Sequence, residues 1–297
     1  MQMVHRPVLV MHGDPGLWEA IGGIRDSRYK VRAVPEWRAL SDAIREASPA
    51  ALVVVDPYLG MPRGAGPAPQ LQALLRDFPS ITVFIAVPLD AEVRSDLHLL
   101  ARWGVSQVVT LGYDNTPAAL EARFEAELAG PLKAVLEDAL PPAISGRARY
   151  TILLAAEIAA VGGQAEGLAE RLGIGRRALG NLCKALGIPP ARELFAWMRI
   201  LLAASLLDDP GRSIESIAPA CGYSADSGLR RVMQNYLGAS PRQLRREGAL
   251  RVAVGKWLEE LERYRRGEGQ QAEAESGGAG AMAGGSGLRE ARPAGGS

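Results

Sequence analysis

Hydrophobic positions change rhythm near the middle of the chain. In the first half, short apolar runs alternate with stretches of helical period. Residues 8–11, 51–55 and 81–87 are almost continuously apolar, as strands buried on both faces are. Residues 31–34 and 106–111 read as two further strands, and 17–24, 37–47, 71–76 and 91–103 as helices between them. Five strand–helix alternations predict a parallel sheet covered on both faces. Residues 115–140 read as a single helix with Leu120, Phe124, Leu128, Leu132, Val135 and Leu136 along one side, covering the sheet or joining a dimer. Pro141-Pro142 ends it, because the residue before a proline is pushed out of the helical region.

From there on the period is helical throughout. Residues 150–161, 166–172 and 176–186 form three helices, broken at Gly162-Gly163 and at Gly173-Ile174-Gly175. A long helix follows over 191–207, with Leu194, Trp197, Met198, Leu201, Leu202 and Leu206 as its apolar stripe. Ser213 stands at an N-cap, Ile214, Ile217 and Ala218 repeat at helical spacing, and Gly222 breaks the helix. Ser224 and Asp226 read as caps of the next helix, which turns Leu229, Val232, Met233 and Tyr236 inward. Gly238 closes it, and Ser240-Pro241 starts another. Beyond Gly248 a last helix carries Leu250, Val254, Trp257, Leu258, Leu261 and Tyr264 on one face, packing on this half or pairing with a second chain. A short helix, a glycine turn and a second helix make a helix-turn-helix, and the pattern occurs twice.

The second copy resembles that of the AraC/XylS family of bacterial transcription regulators. The string is Ile214-x-x-Ile217-Ala218, Cys221-Gly222-Tyr223-Ser224, Asp226-Ser227, Arg231 and Gly238-x-Ser240-Pro241-x-x-x-Arg245, without gaps. Leu168-Ala169 and Leu172-Gly173 match the core and turn of the family's first copy. The resemblance implies an all-helical double-stranded-DNA-binding domain whose second helices enter the major groove about one turn (~34 Å) apart. The base- and phosphate-contacting positions it implies are Arg176, Arg177, Gly180, Asn181 and Lys184 in the first copy, with Ala178, Leu179, Leu182 and Cys183 facing in. In the second copy they are Ser224, Ala225, Asp226, Ser227, Gly228, Arg230 and Arg231. Arginine can bond bidentately to guanine and asparagine to adenine, while lysine serves guanine or phosphate. Asn181 replaces the family's usual arginine and Cys183 its usual aromatic, which alters base preference rather than fold. Gly228 costs an exposed helix about 1 kcal/mol against alanine, so a close backbone approach is expected there. Arg242, Arg245 and Arg246 add a basic edge.

The first half resembles the receiver domain of two-component response regulators, a flavodoxin-like fold with its functional loops at the strand carboxyl ends. Asp56 falls at the phosphoacceptor position, after the third strand. Phosphoryl transfer also needs Mg²⁺ held by acidic oxygens and cations to neutralise charge. The receiver's acidic pair here falls on His12 and Gly13, with Asp14 adjacent; its hydroxyl falls on Ala86 and its lysine on Leu111. The resemblance therefore implies an inactive pseudo-receiver, with Asp56 a polar loop residue or an acceptor for backbone N–H groups. The Gly/Pro-rich loop over 60–69 flanks the strand-end crevice.

Charge supports the division. Residues 1–144 carry 13 basic and 17 acidic side chains, and residues 145–266 carry 19 and 12, although the whole chain is only +1. A basic half beside a mildly acidic one suits a nucleic-acid-binding module with a separate control module. Cys183 and Cys221 are too few for a metal cluster and read as small core residues. No cofactor motif, nucleophile–base pair or metal-ligand spacing is present, so an enzyme is not expected. No run of eighteen apolar residues and no signal peptide occur, so a cytoplasmic location is expected.

The expected organisation is a receiver-like regulatory domain over 1–143, an AraC-type DNA-binding domain over 144–266, and a Gly/Ala/Ser-rich disordered tail over 267–297. The expected function is sequence-specific transcription regulation independent of phosphorylation, with a homodimer, a partner protein or a small effector as further partners and no membrane. Two other readings stay open: a response regulator switched at Asp56, and a protein-docking regulator with weak DNA binding.

Overall fold

The computed structural model describes residues 6–26, 28–127 and 130–267. Its N-terminal half alternates β1 (Arg6–Met11), α1 (Pro15–Gly22), β2 (Tyr29–Ala33), α2 (Trp37–Glu46), β3 (Leu52–Val55), α3 (Pro69–Asp77), β4 (Thr82–Val87), α4 (Ala91–Trp103), β5 (Gln107–Thr110) and α5 (Pro117–Ala126). The strands pair in parallel in the order β2-β1-β3-β4-β5. This is the flavodoxin-like arrangement.

Two-residue periodicity divides the strands between two cores. Leu9, Met11, Val53, Val55, Val83 and Ile85 meet Leu40 and Ile44 of α2 and Leu71 and Leu74 of α3. Val8, Val10, Leu52, Val54, Phe84 and Val109 face the other way, onto Leu17 and Ile21 of α1 and Leu120 and Phe124 of α5. The outer strand β2 departs from the expected burial. Lys30, Val31, Arg32 and Ala33 are all exposed at that edge of the sheet. At the foot of β1 the buried Arg6 guanidinium donates to the carbonyls of Ala50 (2.6 Å), Phe124 and Glu127 (2.7 Å), tying the sheet to the end of α5.

The single helix expected over 115–140 is two. α5 ends at Ala126 and α6 (Gly130–Ala139) starts at Gly130, whose φ of +42° is a conformation that favours glycine. The apolar stripe splits with it. Leu120 and Phe124 stay on the sheet, whereas Leu132 and Leu136 join the helical core. Leu128 lies outside the described residues, as does the tail beyond Gly267.

The helical half runs α7 (Gly146–Ala160), α8 (Ala165–Arg171), α9 (Arg176–Leu186), α10 (Ala191–Leu207), α11 (Ile214–Ala220), α12 (Asp226–Leu237), α13 (Pro241–Glu247) and α14 (Ala249–Arg265). α10 is its axle. Phe195, Ile200, Ala203, Ala204 and Leu207 are buried besides the predicted stripe, so it is covered nearly all round rather than on one face. α14 packs on α10 within the chain, with Trp257 fully buried and its ring 5.7 Å from that of Trp197. Among the described residues no helix is long and apolar enough to cross a membrane.

Candidate nucleic-acid interface

The pairs α8–α9 and α11–α12 turn by the same backbone device. In the first, Gly173 has φ +65° and the N–H of Ile174 donates to Ala169 (3.0 Å). In the second, Gly222 has φ +77° and the N–H of Tyr223 donates to Ala218 (2.9 Å). Each is a helix C-terminus closed by a left-handed glycine, and the residue after the glycine folds back into the core. Leu168, Leu179 and Cys183 anchor one pair, and Ile217, Ala218, Leu229 and Met233 the other, all in one continuous core. The Cys183 thiol is pushed up to about 11 by burial, consistent with a small core residue rather than a reactive group.

On the outer faces stand the side chains singled out by sequence. Arg176, Arg177, Gly180, Asn181 and Lys184 are all exposed on α9. Ser224, Ala225, Ser227, Arg230 and Arg231 are exposed at the start of α12, and Asp226 and Gly228 are half-buried. Arg176 pairs with Glu166 (2.5 Å) and Arg230 with Asp226 (3.0 Å). Such exposed pairs contribute little to stability, so a phosphate can displace the carboxylate at small cost. Arg231 and Arg242 share a surface depression with Arg230, Gln234 and Ser240, which brings one residue of the predicted basic edge beside the second exposed helix.

Four local expectations are corrected. Ala178 is exposed rather than inward, since Leu179 and Cys183 already define the buried side of α9. The N-cap of α12 is Ala225, without a side-chain bond, while the Asp226 carboxylate is taken by Arg230. Arg245 is not part of a free basic edge. It turns inward and donates to the carbonyls of Leu207 and Arg212 (2.8 Å each). Gly228 has no close backbone neighbour; a methyl there would meet only the Tyr223 ring at 3.9 Å, and nothing in the structure explains the glycine.

At the strand ends of the sheet, Asp56 and its neighbours are engaged in local structure. The Asp56 carboxylate accepts the N–H of Tyr58 (2.9 Å). The Asp14 carboxylate accepts the N–H of Leu17 (2.7 Å) as the N-cap of α1. His12 uses both ring nitrogens: Nε2 donates to the Ala86 carbonyl (2.9 Å) and Nδ1 accepts from the Asp14 N–H (3.0 Å). This bonding, assigned from the network, spans β1 and β4 where a receiver would hold Mg²⁺. The residues present do not fit that ion. The acidic pair falls on His12 and Gly13, the adjacent Asp14 is committed to a cap, and among the described residues no group of three His, Cys, Asp or Glu side chains could hold a metal.

A family model described as a helix-turn-helix domain matches residues 168–247. Residues 168–247 form a helix-turn-helix domain. Full-length FixJ from B. japonicum is 19% identical, with a TM-score of 0.35 over 68% of this chain and 97% of that one. RcsB, a Salmonella typhimurium response regulator, is 15% identical, with a TM-score of 0.30 over 65% of this chain and 98% of its own. A search of curated proteins returns no match. Within the helix-turn-helix domain the structure adds residues that sequence reading passed over. Arg192 and Arg199 of α10 line a groove with Arg176 and Gly180. Their signal was present as charges on an otherwise apolar helix, of which the sequence reading used only the apolar stripe.

Proposed function

We propose that the protein is a sequence-specific DNA-binding transcription regulator of AraC type, controlled through its sheet half without phosphorylation. The observation that carries this reading is the repeated turn. The same hydrogen bond and the same left-handed glycine present α9 and α12 with their cationic sides outward from one core. In this reading Arg177, Asn181 and Lys184 read bases or phosphates in one half-site, and Ser227, Arg230 and Arg231 do so in the other. Residues 1–143 form the regulatory part and 144–266 the DNA-reading part, with α6 bridging the two. A homodimer or docked partner is proposed at the α4–β5 side, where Leu89, Leu99 and Tyr113 are exposed.

The test is a selection of random duplexes by the purified protein, with and without a small-molecule phosphoryl donor and Mg²⁺. A bipartite motif with half-sites about one turn apart, indifferent to the donor, is the expected result. A donor-dependent motif would make Asp56 a working switch, and no motif would favour a protein-docking regulator. Two variants refine the result. Arg177→Ala is expected to weaken the selected site by about 1–3 kcal/mol if it reads a base; equal loss on all sequences would make it a phosphate contact. Asp56→Asn is expected to leave DNA affinity unchanged, because the carboxylate accepts the N–H of Tyr58 in the local turn, a bond the amide oxygen can keep. A change in affinity in either direction would overturn the pseudo-receiver reading.

A further inference from the structure

Polar contacts from three directions converge on the turn over 208–213, between α10 and α11. From α14, the N–H groups of Ala249 and Leu250 donate to the Asp208 carboxylate (2.7 and 2.9 Å). From α13, Arg245 donates to the carbonyls of Leu207 and Arg212. The third set comes from the sheet half. Ser80 donates through its N–H (2.9 Å) and its hydroxyl (2.5 Å) to Asp209. Arg212 Nη1 donates to the carbonyls of Arg45 and Ala47 (3.0 Å each). Arg45 Nε donates to the Gly211 carbonyl (2.9 Å), and the Gly211 N–H to the Asp77 carbonyl (2.8 Å). Asp209 and Arg212 pair at 3.0 Å with both side chains fully buried. Gly211 lies so close to Phe78 that a methyl there would come within 2.5 Å of the ring and 3.0 Å of the Asp77 carbonyl.

A buried ion pair is poor glue, because desolvation offsets most of the attraction. It is exacting about geometry: in this pose both Asp209 oxygens and Arg212 Nε and Nη1 are bonded and only Arg212 Nη2 is buried without a partner, and other poses would leave more of the pair unsatisfied. The seam therefore selects one pose of the turn more than it holds the halves together. α11 starts at Ile214, directly after this turn, and packs on α2 as well. Among the described residues no hydrogen bond joins α8 or α9 to the sheet half.

We infer that Ser80 and Arg45 are positioning residues for the second helix-turn-helix. Acting through the Asp209–Arg212 pair, the sheet half sets the pose of α11 and hence of α12, whereas α8 meets the sheet half only across an open cavity, with Arg171 beside Arg6, Arg28 and Tyr29 and without a hydrogen bond among the described residues. This rests on the proposed function only where DNA is the readout, so the test has two arms.

The test uses the full chain with Gly211→Ala, which wedges the seam at a position without positive φ, and with Ser80→Ala, which removes one bond and no bulk. In the free protein, amide exchange over 208–221 is expected to rise about tenfold in both variants, with exchange over 176–186 unchanged. On the selected duplex, affinity is expected to fall about tenfold through the half-site read by α12, with the α9 half-site retained. Unchanged exchange over 208–221, a uniform rise across the helical half, or equal loss at both half-sites would overturn the inference. If the unmodified protein binds no duplex, the DNA-binding reading falls, and the exchange arm alone decides the positioning role.

Discussion

Replacing Asp209 with alanine is expected to destabilise the protein by about 3–5 kcal/mol, the usual cost of leaving the partner of a buried pair without its counter-charge. Arg212 would keep its bonds to the carbonyls of Arg45 and Ala47 but lose the carboxylate 3.0 Å away. Burial pushes the Asp209 carboxyl up from its ordinary value of 3.8 and the Arg212 guanidinium down, so desolvation outweighs their mutual attraction. The pair therefore gives little net stability, and the double change Asp209→Leu with Arg212→Met is expected to recover most of the loss. Urea titration of the two variants checks both statements. A single variant as stable as the parent would show that the pair is solvated in solution. The pH dependence follows from the same direction. A carboxyl raised in the folded state contributes stability that is complete below its unfolded pKa and lost as pH climbs through the folded one. Asp209→Asn is expected to remove that fall, which begins near pH 3.8 and runs upward.

DNA affinity is expected to fall about 10³-fold between 50 and 200 mM salt, a log–log slope of about −5. The magnitude follows from the exposed cations Arg177, Lys184, Arg230, Arg231, Arg242 and Arg246, each able to release a counterion at a phosphate. Binding isotherms on the selected duplex at several salt concentrations give the slope. A slope shallower than about −2 would mean that this face does not lie on the DNA backbone. Arg245→Ala is expected to leave the slope unchanged, because that guanidinium is spent on the carbonyls of Leu207 and Arg212.

Arg245 also marks how far sequence reading reaches. It sits in the same short helix as Arg242 and Arg246, and nothing in sequence order separates the three. Whether an arginine faces phosphate or an orphan carbonyl depends on where the end of α10 comes to rest, which is a tertiary fact. Ala178 is a similar case. Helical period alone allowed it a place in the core, but Leu179 and Cys183 set the buried line. The helix expected over 115–140 failed for a different reason. Its apolar stripe is continuous in sequence, yet it serves two cores, and one left-handed glycine at Gly130 lets the chain change direction between them.

Sequence by itself determined the alternation of strands and helices apart from the break before Gly130, the parallel sheet and the two glycine turns. Those features depend on local rules: apolar runs, caps, glycine's freedom at positive φ and the period of the helix. Tertiary structure alone decided how the halves meet. Ser80, Arg45 and Asp209 lie far apart along the chain and carry no motif. What joins them is the demand that the buried Asp209–Arg212 pair be bonded, and that demand exists only once Phe78 and Gly211 have been brought into contact.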